Sequence, residues 1–258
     1  MLVLEAHGLT KIYDSRGKVK TRALDNFSFQ VHEGEFIGIM GPSGSGKTTL
    51  LNLLATIDRP TSGTIRLDGV DTSQLKGDQL ALFRRRRLGF VFQDYNLIDS
   101  LTIGENIILP LVLDRLPLKE IKARQADVAA ILGLSDLLQK YPYEVSGGQQ
   151  QRTAAARAII HKPAIVLADE PTGNLDSRAA RQLMETFTQL NAAAETTITM
   201  VTHDPFAASF CRRILFIRDG RFYSEIQRGE SRQAFFQQIL DVLSLIGGGN
   251  NDSMGHRF

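Results

Sequence analysis

Long apolar runs are missing from this 258-residue sequence, and no stretch approaches the ~20 consecutive apolar residues of a membrane-spanning helix. Any membrane role is therefore expected to come through another chain. Cysteine is nearly absent too, with Cys211 standing alone. A single thiol excludes an intramolecular disulfide framework and a cysteine-rich metal site, fits a reducing compartment, and predicts a buried, inert side chain. An excess of one charge is also lacking, because 30 Lys and Arg face 28 Asp and Glu for a formal net charge of +2. That balance gives no case for a whole-surface nucleic-acid binder. The opening Met1-Leu2-Val3-Leu4-Glu5-Ala6 meets a charge almost at once, so no signal peptide is expected there.

Short apolar runs are plentiful. Those at Leu2–Ala6, Phe27–Val31 and Thr64–Leu67, separated by turn signals at Glu33-Gly34 and Asp68-Gly69, predict an antiparallel sheet. Phe36–Met40 is different, a continuous apolar strand that runs into glycines and then a predicted helix over Lys47–Ala55. Ala164–Ala168 and Ile198–Thr202 are equally apolar, with helical periodicity over Ser177–Asn191 between them, and together these predict a doubly wound parallel core. From Leu101 to Gln139 helical signals dominate, clearest over Leu118–Leu132, with Pro110 and Pro117 punctuating the approach. Ser231–Ile246 predicts an amphipathic helix with Ser231 as its cap, and Gly247–Asn251 a mobile tail. Arg84-Arg85-Arg86-Arg87, a short basic run beside a strand, reads as a solvated face in preference to a phosphate or lipid-headgroup patch.

Three motifs carry chemistry. Gly41-Pro42-Ser43-Gly44-Ser45-Gly46-Lys47-Thr48 fits the phosphate-loop pattern, with the required strand before it and helix after it. Its glycines let backbone N–H groups converge on the β- and γ-phosphates of a nucleotide, Lys47 adds positive charge, and Thr48 offers a hydroxyl to Mg²⁺. Ile165-Val166-Leu167-Ala168-Asp169-Glu170 is an apolar strand ending in two carboxylates. Alone, such an end is usually solvated. After an intact phosphate loop, Asp169 becomes a candidate Mg²⁺ ligand acting through water, and Glu170 the base that activates a water attacking the γ-phosphate. Val145-Ser146-Gly147-Gly148-Gln149 supplies a second set of phosphate donors, at the start of a helix whose dipole favours anions. The chain's own site does not need them, so they imply a partner.

In order and spacing these motifs resemble the ATP-binding subunit of an ABC transporter over nearly the whole chain: the phosphate loop, Gln93, the signature at Ser146–Gln150, Asp169-Glu170, Asn174-Leu175-Asp176 and His203. The resemblance implies an α/β fold, a P-loop ABC ATPase cassette with a RecA-like parallel core, an antiparallel β lobe and an inserted helical lobe. It divides the chain into an ATP-binding core at 1–100 and 155–228, a signature lobe at 101–154, a C-terminal helix at 229–246 and a disordered tail at 247–258. ATP and Mg²⁺ are the implied ligands. Glu170, His203 and Gln93 are the implied catalytic group, with Thr48, Gln93 and Asp169 toward the metal. Tyr13 stands where the family stacks an aromatic on adenine, and Gly41, Ser43, Gly44, Ser45, Gly46, Lys47, Thr48 and Thr49 cradle the phosphates. Two cassettes pair head to tail in this family, so Ser146, Gly147, Gly148 and Gln149 of one copy would bind the γ-phosphate held by the other. Asp176 would cross to the opposite protomer. Val145 replaces the family's usual leucine, a change expected to alter packing and not chemistry.

Outside these motifs, Phe92–Asp99, Glu105–Leu111, the DEPTGNLD of Asp169–Asp176 and the tail segment Ser231–Gln237 resemble the ATPases of bacitracin-resistance (Bce-type) transporters. The first three are shared with lipoprotein-extracting and macrolide-type mechanotransmission transporters. The Bce-type resemblance implies a polytopic membrane permease, resistance to bacitracin, lantibiotics or other cell-wall-targeting peptides, a sensor histidine kinase as an associate, and residence at the cytoplasmic face of the bacterial membrane. The region after Gln93 is an expected contact to the membrane subunit, and the helix at Ser231–Ile246 is expected either to pack on its own domain or to make a second such contact. A soluble ABC protein of repair or translation is the competing class, disfavoured because Ser146 follows Gln93 by only 53 positions and leaves no room for a long coiled coil. A third reading, a nucleotide-driven switch for signalling, uses the same ATPase cycle.

Overall fold

The computed structural model describes residues 1–14, 20–194 and 196–248. Two long antiparallel strands, β1 (Leu2–Tyr13) and β2 (Thr21–His32), open the chain. In β2 the buried Leu24, Phe27, Phe29 and Val31 are interspersed with exposed positions, the pattern of a strand with one wet face. Next come β3 (Phe36–Met40), α1 (Lys47–Leu54), β4 (Ser62–Leu67), β5 (Val70–Asp71), α2 (Gly77–Arg87) and β6 (Leu88–Val91). A helical lobe follows, made of α3 (Ile103–Leu113), α4 (Leu118–Ile131) and α5 (Gly147–Ile159). The chain then returns through β7 (Ile165–Asp169), α6 (Ser177–Ala194), β8 (Ile198–Val201), α7 (Pro205–Ala208), β9 (Arg213–Arg218), β10 (Arg221–Gln227) and α8 (Arg232–Gly248).

Two sheets result. The first, β2-β1-β4-β5, is antiparallel; the second runs β10-β9-β3-β8-β7-β6 and is parallel except at its β10 edge. The apolar continuity of the parallel strands has a direct cause, because both of their faces are covered. Phe36, Met40, Val166, Ala168, Met200 and Phe216 face a core shared with the helical lobe and α6 to α8. Their neighbours Ile37, Ile39, Ile165, Leu167, Val201 and Leu215 face a second core shared with α1 and the antiparallel sheet. Each buried Val, Leu, Ile, Phe or Met side chain among these contributes about 1.5–3 kcal/mol of transfer free energy. The phosphate loop leaves β3 between these two cores, so it is fixed from both sides.

Some expectations need correction. Pro110 lies inside α3 and does not punctuate between elements. The four arginines form the last turn of α2, where their positive charge suits a helix C-terminus; Arg86 and Arg87 are exposed as expected of a solvated face, Arg84 and Arg85 are half-buried, and all four have partners. Arg84 donates to the Thr56 carbonyl (3.1 Å), Arg85 and Arg86 pair with Asp114 (2.7 and 3.0 Å), and Arg87 pairs with Asp68 (3.2 Å). Gly247 and Gly248 belong to α8, while the rest of the expected tail lies outside the described residues. Cys211 is fully buried, and burial pushes its thiol far above the usual range. No helix among the described residues is long and apolar enough to cross a membrane.

Candidate nucleotide site

The loop from Gly41 to Gly46 holds its shape because side chains are excluded from it. A Cβ on Gly41 would collide with the Ile217 carbonyl of β9, and one on Gly46, whose φ is +104°, with the Ala23 carbonyl of β2. Gly46 then caps α1 in the left-handed conformation that favours glycine. Lys47, the first residue of α1, is buried, and its Nζ donates to the carbonyls of Gly41 (2.9 Å) and Pro42 (3.0 Å). Burial lowers the Lys47 pKa, and the charges of Glu170 and Asp169 pull it back up. The ammonium is thus held at the mouth of the loop by two carbonyls, within the field of two carboxylates.

The carboxylates stand at the end of β7, beside β8. Asp169 is half-buried, and burial, reinforced by Glu170 and opposed by Lys47, raises its pKa. Its Oδ1 is buried and has no hydrogen-bond partner among the described residues. Such an atom suits a hard cation that completes its shell with phosphate oxygens and water, and the Thr48 hydroxyl and the Gln93 carbonyl belong to the same donor class. No cluster of three His, Cys, Asp or Glu able to hold a metal on its own occurs among the described residues. Mg²⁺ rarely uses an all-protein cage, so the donor set fits an ion that arrives with a nucleotide.

Glu170 adopts φ of +45°, a left-handed conformation uncommon for a residue with a side chain, pinned by its N–H to the Val201 carbonyl (2.9 Å). That turn aims its carboxylate across the sheet at His203. Oε2 accepts from the His203 N–H (3.1 Å), and Oε1 lies 2.8 Å from Nδ1, which therefore carries the proton as donor. Gln93 approaches from the end of β6. Its Nε2 donates to Asn174 Oδ1 (3.4 Å), while Asn174 Nδ2 returns bonds to the Gln93 carbonyl (3.3 Å) and Asp94 (2.8 Å). A Cβ on Gly173 would meet Gln93 Nε2 at 2.9 Å, so this glycine makes room for the side chain.

Most of these groups meet at one cleft of about 620 Å³ lined by Gly41, Ser43, Gly44, Lys47, Thr48, Gln93, Glu170 and His203 together with Leu243, Ile246 and Gly247 of α8, and Asp169 is outside its lining. A larger cleft of about 720 Å³, beside α2 and between Phe83, Leu111 and His161, offers no phosphate-binding backbone. Ser45 and Thr49 support the loop from within: Ser45 is buried with its hydroxyl unpartnered among the described residues, and Thr49 is half-buried on α1. Tyr13 lies at the end of β1, off the phosphate cleft, 39% exposed, its hydroxyl donating to Asp58 (3.0 Å) and Lys11 Nζ 4.9 Å from its ring centre.

Ser146, Gly147, Gly148, Gln149 and Asp176 stay out of the cleft. Ser146 caps α5, accepting from Gln149 N–H (3.4 Å), while Gln149 Oε1 accepts from the Ser146 N–H (2.9 Å). The first-turn N–H groups of Gly147 and Gly148 keep no intrahelical acceptor. A Cβ on Gly148 would meet the Ala179 Cβ at 2.9 Å, and one on Gly147 the Tyr95 hydroxyl at 2.8 Å. Asp176 caps α6, accepting from Arg178 and Ala179 N–H groups at 2.9 Å each. Two contributors escape sequence reasoning. Gln151, buried on α5, donates from Nε2 to the Phe92 carbonyl (3.1 Å) and the Pro171 carbonyl (2.7 Å), tying the signature helix to the approaches of Gln93 and Glu170. The last turn of α8 is the other. Helical spacing foretells the helix and gives no signal of where it docks.

Residues 24–173 match the protein family described as ABC transporter. The chain is 58% identical, over 100% of both sequences, to the uncharacterized ABC transporter ATP-binding protein YvcR of Bacillus subtilis. It is 48% identical to the bacitracin export ATP-binding protein BceA of Halalkalibacterium halodurans, covering 98% of this chain and 100% of that one. Among solved structures, the ATP-binding cassette MJ0796, a dimer in a post-hydrolysis state with ADP and Pi bound, superposes with a TM-score of 0.80 at 39% identity, covering 88% of this chain and 99% of that chain.

Proposed function

This chain belongs to the ABC transporter family as an ATP-binding subunit, an ATPase coupled to transport, and we propose that the transport it drives confers resistance to cell-wall-targeting antimicrobial peptides such as bacitracin or lantibiotics. One observation carries the finer reading: the similarity to a bacitracin export ATPase spans nearly the whole of both chains, the C-terminal helix included.

In this proposal Glu170 takes the proton of the attacking water. His203 orients that carboxylate through its N–H and Nδ1–H, and as the doubly protonated imidazolium it donates from Nε2 to the γ-phosphate. Lys47 releases the Gly41 and Pro42 carbonyls and turns to the phosphates, as N–H groups of the loop converge on them. Asp169, Thr48 and Gln93 hold Mg²⁺, which when bound neutralises charge on the phosphate oxygens. Tyr13 stacks on the adenine. Ser146, Gly147, Gly148 and Gln149 serve a second copy in a head-to-tail sandwich, an arrangement supported by their absence from the chain's own cleft and by a dimeric cassette among the similar structures. The sandwich drives a polytopic permease, which holds this subunit at the cytoplasmic face of the membrane. No feature of the described residues calls for a sensor kinase.

Deleting the gene in its host and measuring growth inhibition by bacitracin, a lantibiotic and a macrolide tests the proposal. Sensitivity to the peptides should rise severalfold, and the wild-type gene should reverse it where Glu170→Gln does not. Unchanged peptide sensitivity together with a new sensitivity to macrolide would reassign the transporter.

A further inference from the structure

α8 lies where it must be touched by whatever closes the phosphate cleft. Its first half is anchored on the segment that carries His203. Arg232 packs over Phe210 (4.2 Å) and Phe206 (5.7 Å), Arg181 of α6 packs on Phe206 as well (5.2 Å), and Phe235 and Ile239 are buried in the core. Phe206 lies within, and Phe210 just beyond, the short α7 that begins two residues after His203. The helix is thereby strapped across α7, and its last turn reaches the cleft, where Leu243, Ile246 and Gly247 join Lys47 and Glu170 in its lining. From Val242 to Gly248 this end carries no charge, and Leu245 is 66% exposed.

We propose that the C-terminal turn of α8 is part of the interface with a second copy of this chain, seated against the partner as the signature segment caps the nucleotide. The inference rests on the sandwich reading and goes beyond it. The occupant follows from continuity: Leu243, Ile246 and Gly247 line the same cleft as Lys47, Glu170 and His203, so a body that brings Ser146 and Gly147 to a phosphate held there also meets the end of α8. An apolar, uncharged helix end suits contact with protein and would gain little from facing water beside a triphosphate. A membrane subunit is the alternative occupant, and it is absent when the purified chain is studied alone.

Gly247 offers a direct probe, because a Cβ there meets nothing within 4 Å and the native Cys211 is buried and unreactive. Glu170→Gln combined with Gly247→Cys would be treated with a maleimide, with and without Mg·ATP, while sedimentation reports the mass. Modification should slow by about tenfold when ATP doubles the mass, since thiol reactivity follows exposure, and the slowing should vanish when Ser146→Arg is added. An unchanged or faster rate in the dimer would overturn the proposal, as would slowing that persists with Ser146→Arg, which would mean that nucleotide alone shields the thiol. If ATP never raises the mass, the sandwich reading fails as well, and the sedimentation record shows that failure independently of the thiol.

Discussion

The phosphate loop and the signature turn are built alike, each a glycine-rich segment opening a helix, yet they meet opposite surroundings. Around the start of α1 the chain gathers a cation, a carboxylate, an amide and a histidine in one cleft, with a second carboxylate, Asp169, close enough to act on the cation. Around the start of α5 stand the Ser146–Gln149 cap and the helix donors, with the Tyr95 hydroxyl and Ala179 pressed against the glycines. A glycine turn at a helix N-terminus can bind an anion in either case. Whether it does so for its own chain or another is decided by what the tertiary fold brings beside it.

The comparison breaks most severely at Glu170. Glu170→Gln should lower ATP turnover by about a thousandfold, the scale of a positioned general base, and leave nucleotide affinity nearly unchanged. Phosphate release measured beside equilibrium nucleotide binding checks both halves of that statement. Next in size, Lys47→Ala should weaken ATP binding by about a hundredfold, because charge-assisted bonds to phosphate are lost from a partly desolvated site. The same titration gives the result, and an intact affinity would move the nucleotide away from this cleft.

Gln151 joins the two regions, so Gln151→Leu should cost about 1–3 kcal/mol in a denaturant titration by leaving the Phe92 and Pro171 carbonyls without their donor. A fall in turnover larger than the loss of folded protein would show that the tie also carries alignment. The smallest expected effect lies at the far end of α5. Burial holds the His161 pKa below its ordinary 6.5, the carbonyl of Leu88 accepting from Nε2 (3.0 Å) and nearby Asp114 opposing the shift. The unfolded chain therefore binds this proton more readily than the folded one. The stability involved is complete above about pH 6.5 and is lost as pH falls toward the depressed folded value. His161→Gln should narrow the Tm difference between about pH 7.5 and about pH 5.5, and an unaltered difference would assign the acid sensitivity elsewhere.

Much of the core was legible in sequence because burial on both faces leaves so clear a mark. Strands such as Phe36–Met40 and Ile165–Asp169 allow no other reading once both cores are seen. β10 was not legible, since it is a largely exposed edge strand with little apolar content, and α2 was hidden by its four consecutive arginines. Within the site, residues set by local motifs could be named individually. The roles of Gln151 and the end of α8 depend on which distant backbone they reach, and spacing along the chain holds no record of that. Asp176 is a motif residue whose local task, the cap of α6, is equally a matter of short spacing.

The central claim, that one nucleotide needs the phosphate loop of one copy and the signature of another, is tested most directly by adding Ser146→Arg to Glu170→Gln and following mass by sedimentation as Mg·ATP is titrated. Glu170→Gln alone should double in mass, and the added Ser146→Arg should keep it monomeric with nucleotide affinity unchanged. A monomer at saturating ATP in the parent, or a dimer that forms equally well with Ser146→Arg, would contradict the account.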